Sequence, residues 1–182
     1  MAENAVSFWS VDTPDGRVSL DRRMQVASLR YFDSMGEFAR AVETSIGIAL
    51  PRPLRANGAI RAGGAGAVLA WRRPSESLLI CSDPAPLTKL RTDVAHLKDG
   101  CVVDQTGGAW VFRTSGTRTS DLFERMAGQA TLPALGESRA SRVADVPVLA
   151  IQVTPDEILL IVERLYAEHM MGWIRASAAD LV

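Results

Sequence analysis

Segments in which apolar and polar residues alternate are interspersed along this chain with segments of helical period, and their order predicts its secondary structure. We predict strands where apolar side chains recur at every second position or form short runs, and helices where they recur every three to four positions. The predicted strands cover residues 24–32, 67–71, 76–82, 101–106, 109–114, 146–153 and 157–163. The predicted helices cover residues 34–50, 83–97, 117–128 and 164–181.

Local signals indicate where some of these helices begin and end. Ser34 and Glu37 have the spacing of a capping box at the start of the first helix, and Pro51 is expected to end it. Gly128 has the position of a C-terminal cap after the third helix. Residues 55–66 are rich in glycine and predict a mobile loop between the first helix and the next strand.

The two halves of the chain have the same order of elements. The sequence "PSESLLIC" from Pro74 matches "PDEILLIV" from Pro155, 81 residues later, and such internal similarity is typical of a duplicated unit. We therefore predict an α+β fold of two tandem ferredoxin-like split β-α-β units, with antiparallel sheets that carry helices on one face. The predicted organisation is an N-terminal arm over residues 1–19, a first half over 20–106 and a second half over 107–182, in a single compact body.

Composition and charge exclude several classes of protein. The 182 residues are 47% hydrophobic and 23% charged, with a net charge of −1, which is an ordinary balance for a chain with a sizeable core. The 20 basic residues are scattered among 21 acidic ones, so no nucleic-acid partner is expected. No apolar run approaches the roughly 20 residues of a membrane span, and the N-terminus lacks the features of a signal peptide. We expect a cytoplasmic protein without a membrane partner.

Most candidate sites for chemistry have a simpler structural explanation. The segment "AGGAGAV" (62–68) looks like a phosphate loop in composition, but it enters a strand instead of opening a helix, so a connector is favoured. His96 and His169 have no partner at a metal-ligand spacing, and no metal site is predicted. Cys81 and Cys101 are expected to be buried, reduced thiols.

Asp104 is the residue for which a chemical role is easiest to argue. It follows two valines in a strand and precedes the Gly107–Gly108 turn, where a carboxylate could act as a base or hold a ligand. It could equally accept hydrogen bonds from the backbone of the turn. Ser115 is expected to cap the third helix, or Thr117 in its place, and Arg113 to lie on a strand surface. The residues therefore predict no catalytic set.

Aromatic residues predict where the chain meets other chains. Trp71, Trp110 and Trp173 lie on elements with apolar neighbours, so burial in the core or in an interface is expected. Trp9 precedes the first predicted element and is expected at the surface, on an aromatic arm suited to protein–protein contact. Trp9, Tyr166 and Trp173 are the possible interface residues.

Four stretches of the chain, in order, resemble one family. "DQTGGAWVFRTSGTRTSDLFERMAG" (104–128) resembles the Asp-x-Ser/Thr, strand, Ser-Gly-x-x-Ala-x-x-Leu-Leu passage of the folate-binding aminomethyltransferase superfamily. The wider chain resembles one member group, the gamma subunit of heterotetrameric sarcosine oxidase, in three further stretches. "SIGIALPRP" (45–53) resembles its Gly-x-x-Leu-Pro motif, and "VLAWRRPSESLLIC" (68–81) resembles its Leu-Trp-x-x-Pro-x-Glu-x-Leu-Leu hairpin. "IVERLYAEHMMGWIRASA" (161–178) resembles its closing helix.

The resemblance implies an accessory role in an oxidoreductase complex. In that family the alpha subunit binds NAD and has a folate site, the beta subunit carries FAD, FMN lies between them, and the delta subunit holds zinc. The gamma subunit is catalytically silent. The chain is thus expected to be a non-catalytic gamma-type subunit of a heterotetrameric flavoenzyme that oxidatively demethylates sarcosine or a related N-methyl amine. It would hold no cofactor itself, whereas FAD, FMN, NAD, zinc and tetrahydrofolate would be bound by alpha, beta and delta partners.

Two alternatives stay open at this stage. The chain could be a stand-alone folate-binding or aminomethyltransferase-like protein, in which Asp104 contacts the pterin or the transferred one-carbon group. Full-length aminomethyltransferases are about twice as long, however, and this chain lacks their third domain. The chain could also be a homo-oligomeric scaffold that pairs its exposed surfaces with a second copy of itself.

Overall fold

The computed structural model describes residues 9–21, 23–59, 66–128 and 131–181. These ranges contain eleven strands and four α-helices. In chain order they are β1 (Ser10–Thr13), β2 (Gly16–Asp21), β3 (Gln25–Tyr31), α1 (Glu37–Ile46), β4 (Ala56–Ala59), β5 (Ala67–Arg73), β6 (Glu76–Cys81), α2 (Pro84–Val94), β7 (Gly100–Asp104), β8 (Ala109–Gly116), α3 (Thr119–Ala127), β9 (Ser138–Val143), β10 (Val146–Thr154), β11 (Glu157–Glu163) and α4 (Ala167–Ala179). A short 3-10 helix, Arg164–Tyr166, precedes α4.

The strands form two antiparallel sheets. The first sheet has the order β4-β5-β6-β3-β7, and the second has the order β1-β2-β8-β11-β10-β9. Neighbouring strands are antiparallel throughout both sheets. The prediction of an α+β fold with antiparallel sheets is therefore confirmed.

The two sheets pack face to face, and each carries two helices on its outer face. The side chains between the sheets include Ile80 from the first sheet and Ile151 and Leu159 from the second. Phe38 of α1 packs in the outer core of the first sheet, and Phe123 of α3 in that of the second. Full burial of each such side chain contributes about 1.5–3 kcal/mol, so both faces of each sheet stabilise the fold.

The N-terminal segment lies differently from the prediction. Residues 1–8 of the predicted arm lie outside the described part of the chain. Residues 10–21 form the β1–β2 hairpin, and β2 pairs with β8 at the edge of the second sheet. Val18 and Leu20 alternate with polar residues and are 0% and 2% exposed, because they complete the core under α3 and α4. This part of the chain belongs to the second sheet.

The first helix is shorter than predicted at both ends. It begins at Glu37 after Gly36, and no side chain at the N-cap position accepts a hydrogen bond from its first turn. The backbone N–H of Phe38 instead donates to the carboxylate of Asp99, at 2.9 Å. The helix ends at Gly47, whose φ of +71° is the left-handed conformation that glycine adopts readily. The predicted capping box and proline stop were therefore wrong, because a distant carboxylate and an earlier glycine take those roles.

Besides the two strands of the N-terminal hairpin, two further strands were missed, because they lack apolar runs. Residues 56–59 of the predicted 55–66 loop form β4, which pairs with β5, and residues 60–65 lie outside the described part. Residues 138–143, between the predicted helix 117–128 and the predicted strand 146–153, form β9. The four predicted helices are all present, with shorter bounds. Within the described ranges, no helix is long and apolar enough to cross a membrane.

The two β-hairpins that match in sequence also share a structural irregularity. The pairing of β5 with β6 shifts register between Trp71 and Arg73. The pairing of β10 with β11 shifts register between Gln152 and Thr154, which are the positions 81 residues further along. A shared bulge at equivalent positions agrees with the internal similarity of the sequence.

Candidate functional site

A groove opens where the margins of the two sheets separate. Its volume is about 1120 Å³. The walls come from the β7–β8 turn, from β9 and β10, and from the 3-10 helix before α4. The lining residues include Asp104, Gln105, Gly108, Trp110, Ser141, Arg164 and Leu165.

Backbone hydrogen bonds hold the turn that forms one wall of this groove. The N–H groups of Gly108 and Ala109 both donate to the carbonyl of Gln105, at 2.8 and 2.9 Å. The N–H of Arg164 donates to the carbonyl of Gly108, at 2.8 Å, and so joins the turn to the 3-10 helix. Leu165 then projects at the rim, with 72% of its surface exposed. The groove is therefore rigid on the side of the turn and partly apolar.

Asp104 lies at the rim of the groove, and both of its carboxylate oxygens have partners. Oδ1 accepts a hydrogen bond from the N–H of Thr106 at 3.0 Å, and Oδ2 lies 3.6 Å from a guanidinium nitrogen of Arg91. The hydrogen bonds from Thr106 lower the pKa of Asp104, and the charge of Arg91 lowers it further. Asp104 is thus a turn-stabilising carboxylate with a preference for its charged form, which is poorly suited to general-base chemistry at neutral pH.

Arg113 and Ser115 do not line the groove. Arg113 is half-buried and donates a hydrogen bond to the carboxylate of Glu157 on the neighbouring strand, so the prediction of a simple surface position was incomplete. The Ser115 hydroxyl donates to the carbonyl of Arg17 at 3.2 Å. The helix that Ser115 was expected to cap begins at Thr119 without a capping side chain. The cap prediction for Ser115 and Thr117 was therefore wrong, because β8 extends further than expected.

Two buried glutamates occupy equivalent positions in the repeat and differ in electrostatics. Glu76 accepts hydrogen bonds from the Ser28 hydroxyl at 2.6 Å, from Arg72 at 3.3 Å and from Arg73. Burial raises the pKa of Glu76, but the Ser28 and Arg73 hydrogen bonds and the nearby charges outweigh it and hold the pKa below its ordinary value. Burial also raises the pKa of Glu157, and there the charge of Arg113 only partly opposes it.

We predict that Glu76→Gln lowers the free energy of unfolding by about 1–3 kcal/mol at pH 7, because charge-assisted hydrogen bonds are lost. A lowered pKa in the folded state means that this contribution is full above the unfolded pKa of about 4.3 and is lost as pH falls through the folded value. Urea unfolding between pH 3 and 7 measures it. The difference between wild type and variant should shrink below about pH 4.3.

The repeat supplies a matched comparison for that prediction. The pKa of Glu157 is raised on folding, so its contribution is full below the unfolded pKa and falls as pH rises through the folded value. The Glu157→Gln variant should therefore show the opposite trend relative to wild type over the same pH range. Parallel pH profiles for the two variants would contradict the assigned electrostatics.

The remaining sequence candidates are dispersed over the molecule. Cys81 is buried, and burial raises the pKa of its thiol to about 11, whereas Cys101 is exposed on the edge strand β7, so the prediction of two buried thiols was half wrong. His169 is exposed, with Nε2 3.2 Å from the carbonyl oxygen of Ala144. His96 is also exposed. Within the described ranges, no three His, Cys, Asp or Glu residues are grouped to hold a metal ion.

The predicted interface residues have three different environments. Trp9 is buried in the core between the second sheet and its helices, so its predicted exposure was wrong. Tyr166 is half-buried against the same core, and Trp173 on α4 is 43% exposed.

Sequence reasoning did not single out Phe32 and Met35, which are 87% and 81% exposed. The sequence signal that could have indicated their exposure was their position where a predicted strand ends and a predicted helix begins.

Comparison with known proteins shows similarity in fold. No protein-family model matches the sequence, and no curated protein matches it. The structure is similar to a chain of the heterotetrameric sarcosine oxidase from Corynebacterium sp. U-96, solved in complex with pyrrole 2-carboxylate. The two chains are 16% identical with a TM-score of 0.80, over 94% of this chain and 87% of that chain.

A second solved structure shares the fold over part of its length. The glycine cleavage system aminomethyltransferase T from Bartonella henselae is 9% identical, with a TM-score of 0.60, over 85% of this chain and 44% of that chain. This chain therefore spans less than half of the aminomethyltransferase. At these identities the two comparisons establish the fold alone.

Proposed function

We propose that this chain is a non-catalytic gamma-type subunit of a heterotetrameric sarcosine oxidase-like flavoenzyme complex, which oxidatively demethylates sarcosine or a related N-methyl amine. The observation that carries the proposal is the likeness to a sarcosine oxidase chain over nearly the full length of both chains. It agrees with the sequence resemblance to gamma subunits. The groove supports an accessory role, because among its described residues Asp104 is engaged with Thr106 and Arg91 instead of with a catalytic partner.

The partners and cofactors follow from the same proposal. The chain would assemble with alpha, beta and delta subunits that hold FAD, FMN, NAD, zinc and tetrahydrofolate, and would bind none of these itself. Trp173 and Tyr166 are candidates for contact with these subunits, since Trp173 is a large exposed aromatic residue. A cytoplasmic location remains a prediction.

We also propose that each half is a split β-α-β unit of ferredoxin-like type. In the first sheet, β5-β6-β3-β7 has the strand order that this unit requires, with β3-α1-β5 and β6-α2-β7 as its two crossovers. In the second sheet, β10, β11 and β8 take the equivalent places. The fourth place is taken by β2 from the N-terminal hairpin.

The direct test is isolation of the tagged chain from its native host, with identification of the co-purifying chains and a visible absorption spectrum. The expected result is a yellow, flavin-bearing complex with larger and smaller partner chains that oxidises sarcosine. A colourless chain recovered alone would contradict the proposal. Light scattering of that chain would then show whether it is a homo-oligomer.

The groove favours one second candidate, a folate-binding or aminomethyltransferase-like protein. A volume of about 1120 Å³ is sufficient for a pterin, and Trp110 and Leu165 supply apolar contacts. Asp104 would contact the pterin or the one-carbon group from the rim. Bound tetrahydrofolate would supply the one-carbon chemistry, and this chain would bind and orient it.

We predict that Asp104→Asn separates these two functions. In an accessory subunit, the substitution should leave the sarcosine oxidase activity per flavin unchanged within about twofold. It should cost about 0.5–1.5 kcal/mol of stability, because a neutral amide oxygen accepts the Thr106 hydrogen bond less strongly. Thermal unfolding and activity assays measure both. Micromolar binding of tetrahydrofolate to the isolated wild-type chain, lost in an Asp104→Asn variant that is still folded at the assay temperature, would favour the folate-binding function instead.

A further inference from the structure

Two large apolar side chains project from one turn of the first sheet. Phe32 and Met35 lie between β3 and α1 and are 87% and 81% exposed. They are the most exposed of the large hydrophobic residues in the described part of the chain. Single exposed apolar residues are common, whereas two large ones on the same turn add apolar surface that a binding partner can cover.

The turn that carries them is held by hydrogen bonds at several points. The N–H of Phe32 donates to the carbonyl of Asp99 at 3.1 Å, and the N–H of Met35 donates to the carboxylate of Asp33 at 2.9 Å. The N–H of Gly36 donates to the carbonyl of Asp33 at 3.2 Å. A side chain at Gly36 would lie 3.0 Å from the Asp99 carboxylate, so the turn is also tightly packed. The backbone that carries Phe32 and Met35 is therefore held in place, which reduces the backbone entropy cost of binding.

A basic groove lies beside this turn. Its volume is about 520 Å³, and its walls include Phe32, Arg30, Arg73 and Lys98. Its one described acidic wall residue, Glu76, is already bound by Arg73 and by other groups. The nearby Asp33 and Asp99 carboxylates accept backbone N–H groups of the turn. No ion pair joins Arg30 or Lys98 to any described residue.

We propose that Phe32, Met35 and the adjacent basic groove form a docking surface for a different polypeptide chain. That chain would offer an apolar pocket for the two anchors, bordered by Asp and Glu side chains that pair with Arg30 and Lys98. The proposal rests on the proposed function, since it names the surface through which this chain would join its complex. A second copy of this chain fits poorly, because a two-fold contact centred on this surface would place the cations of one copy near those of the other.

Competition between tagged chains in the native host tests the docking surface. Wild type and one variant, carrying different tags, are expressed together, and the ratio of the two in the flavin-bearing complex is measured. The variants are Phe32→Ser with Met35→Ser, and Arg30→Glu with Lys98→Glu. The matched controls are Leu135→Ser, at a residue 56% exposed elsewhere, and Arg125→Glu, on α3 at the outer face of the second sheet.

The proposal gives a different result for each variant. Loss of the anchors should reduce incorporation at least about 30-fold, and reversal of the two charges at least about 10-fold, because anchors and opposite charges are both removed from the contact. Both controls should enter within about twofold of wild type. The anchor variant should keep the wild-type melting temperature, whereas Arg30→Glu should lower it, because Arg30 lies opposite Glu76 in the β3–β6 register. A flavin-bearing complex that incorporates the anchor variant equally would overturn the docking surface alone. Absence of any flavin-bearing complex with wild type would overturn the proposed function and this surface together.

Discussion

Trp9→Ala is expected to lower the free energy of unfolding by about 3–5 kcal/mol, as truncation of a buried Trp does. The Trp9 ring meets Phe112 edge-on, with ring centroids 5.7 Å apart and planes at 90°. The guanidinium of Arg175 lies 5.6 Å from the centre of the Trp9 ring. Removal of the indole leaves a cavity between the second sheet and α4, and loses both contacts. Urea unfolding followed by circular dichroism measures the loss.

Trp173 supplies the control for that result. It is 43% exposed on α4, so Trp173→Ala should cost less than about 1 kcal/mol. The comparison therefore distinguishes a core tryptophan from a surface tryptophan in the same domain. If Trp9→Ala unfolds like wild type while Trp173→Ala is strongly destabilised, the burial of Trp9 described above is wrong.

Gly116→Ala is expected to cost about 2–5 kcal/mol, from backbone strain and a contact that cannot relax. Gly116 pairs directly with Gly16 where β2 meets β8. Its φ of +120° is unfavourable for alanine, and an added Cβ would lie 2.1 Å from the carbonyl oxygen of Asp15. Backbone atoms cannot move aside as a flexible side chain does, so β2 must shift. Hydrogen exchange of the β2 amides and thermal unfolding measure the effect.

Gly128 separates the two contributions to that cost. Its φ is +82°, but nothing lies within 4 Å of an added Cβ. Gly128→Ala should therefore cost only about 1–2 kcal/mol, from conformational strain alone. It should leave the protection of the β2 amides unchanged. Equal losses for the two variants would mean that the contact with Asp15 contributes nothing.

The elements that the sequence predicted correctly are those in which buried apolar residues follow one another or recur at a regular spacing within the element. Strands β6 and β11 are almost continuously apolar, and both were predicted because each is covered on two faces. Helix α2 has Leu87, Leu90 and Val94 on its buried face, and Asp83 caps it locally. Such patterns are read from neighbouring residues, so they do not depend on distant parts of the fold.

The elements that the sequence missed depend on partners far along the chain. Strand β4, with the sequence "ANGA", has no apolar run, and it is a strand because β5 offers an unpaired edge. The start of α1 depends on Asp99, whose carboxylate accepts a hydrogen bond from the N–H of Phe38, 61 residues earlier in the chain. Trp9 was misplaced for the same reason, since its burial requires β8 and α4. Local propensity carries no information about these contacts.

Of the residues that line the groove, the sequence singled out Asp104 for a possible chemical role. Its contact with Thr106 follows from the local turn. The groove itself could not be predicted, because the β7–β8 turn and the 3-10 helix converge only when the two sheets pack. The pair of Arg113 with Glu157 joins residues 44 apart, and required the strand register.

The β1–β2 hairpin has a consequence for the order in which the chain folds. Its partner strand is distant, as the 98-residue separation of Arg17 and Ser115 shows. At about 5–20 residues per second, the ribosome makes the hairpin roughly 5–20 seconds before β8 emerges. During that interval Val18 and Leu20 have no core to enter, while the first sheet can already close on α1 and α2. The second sheet would thus begin to form only when this early hairpin meets β8, and until then the exposed hairpin is where a chaperone would be needed.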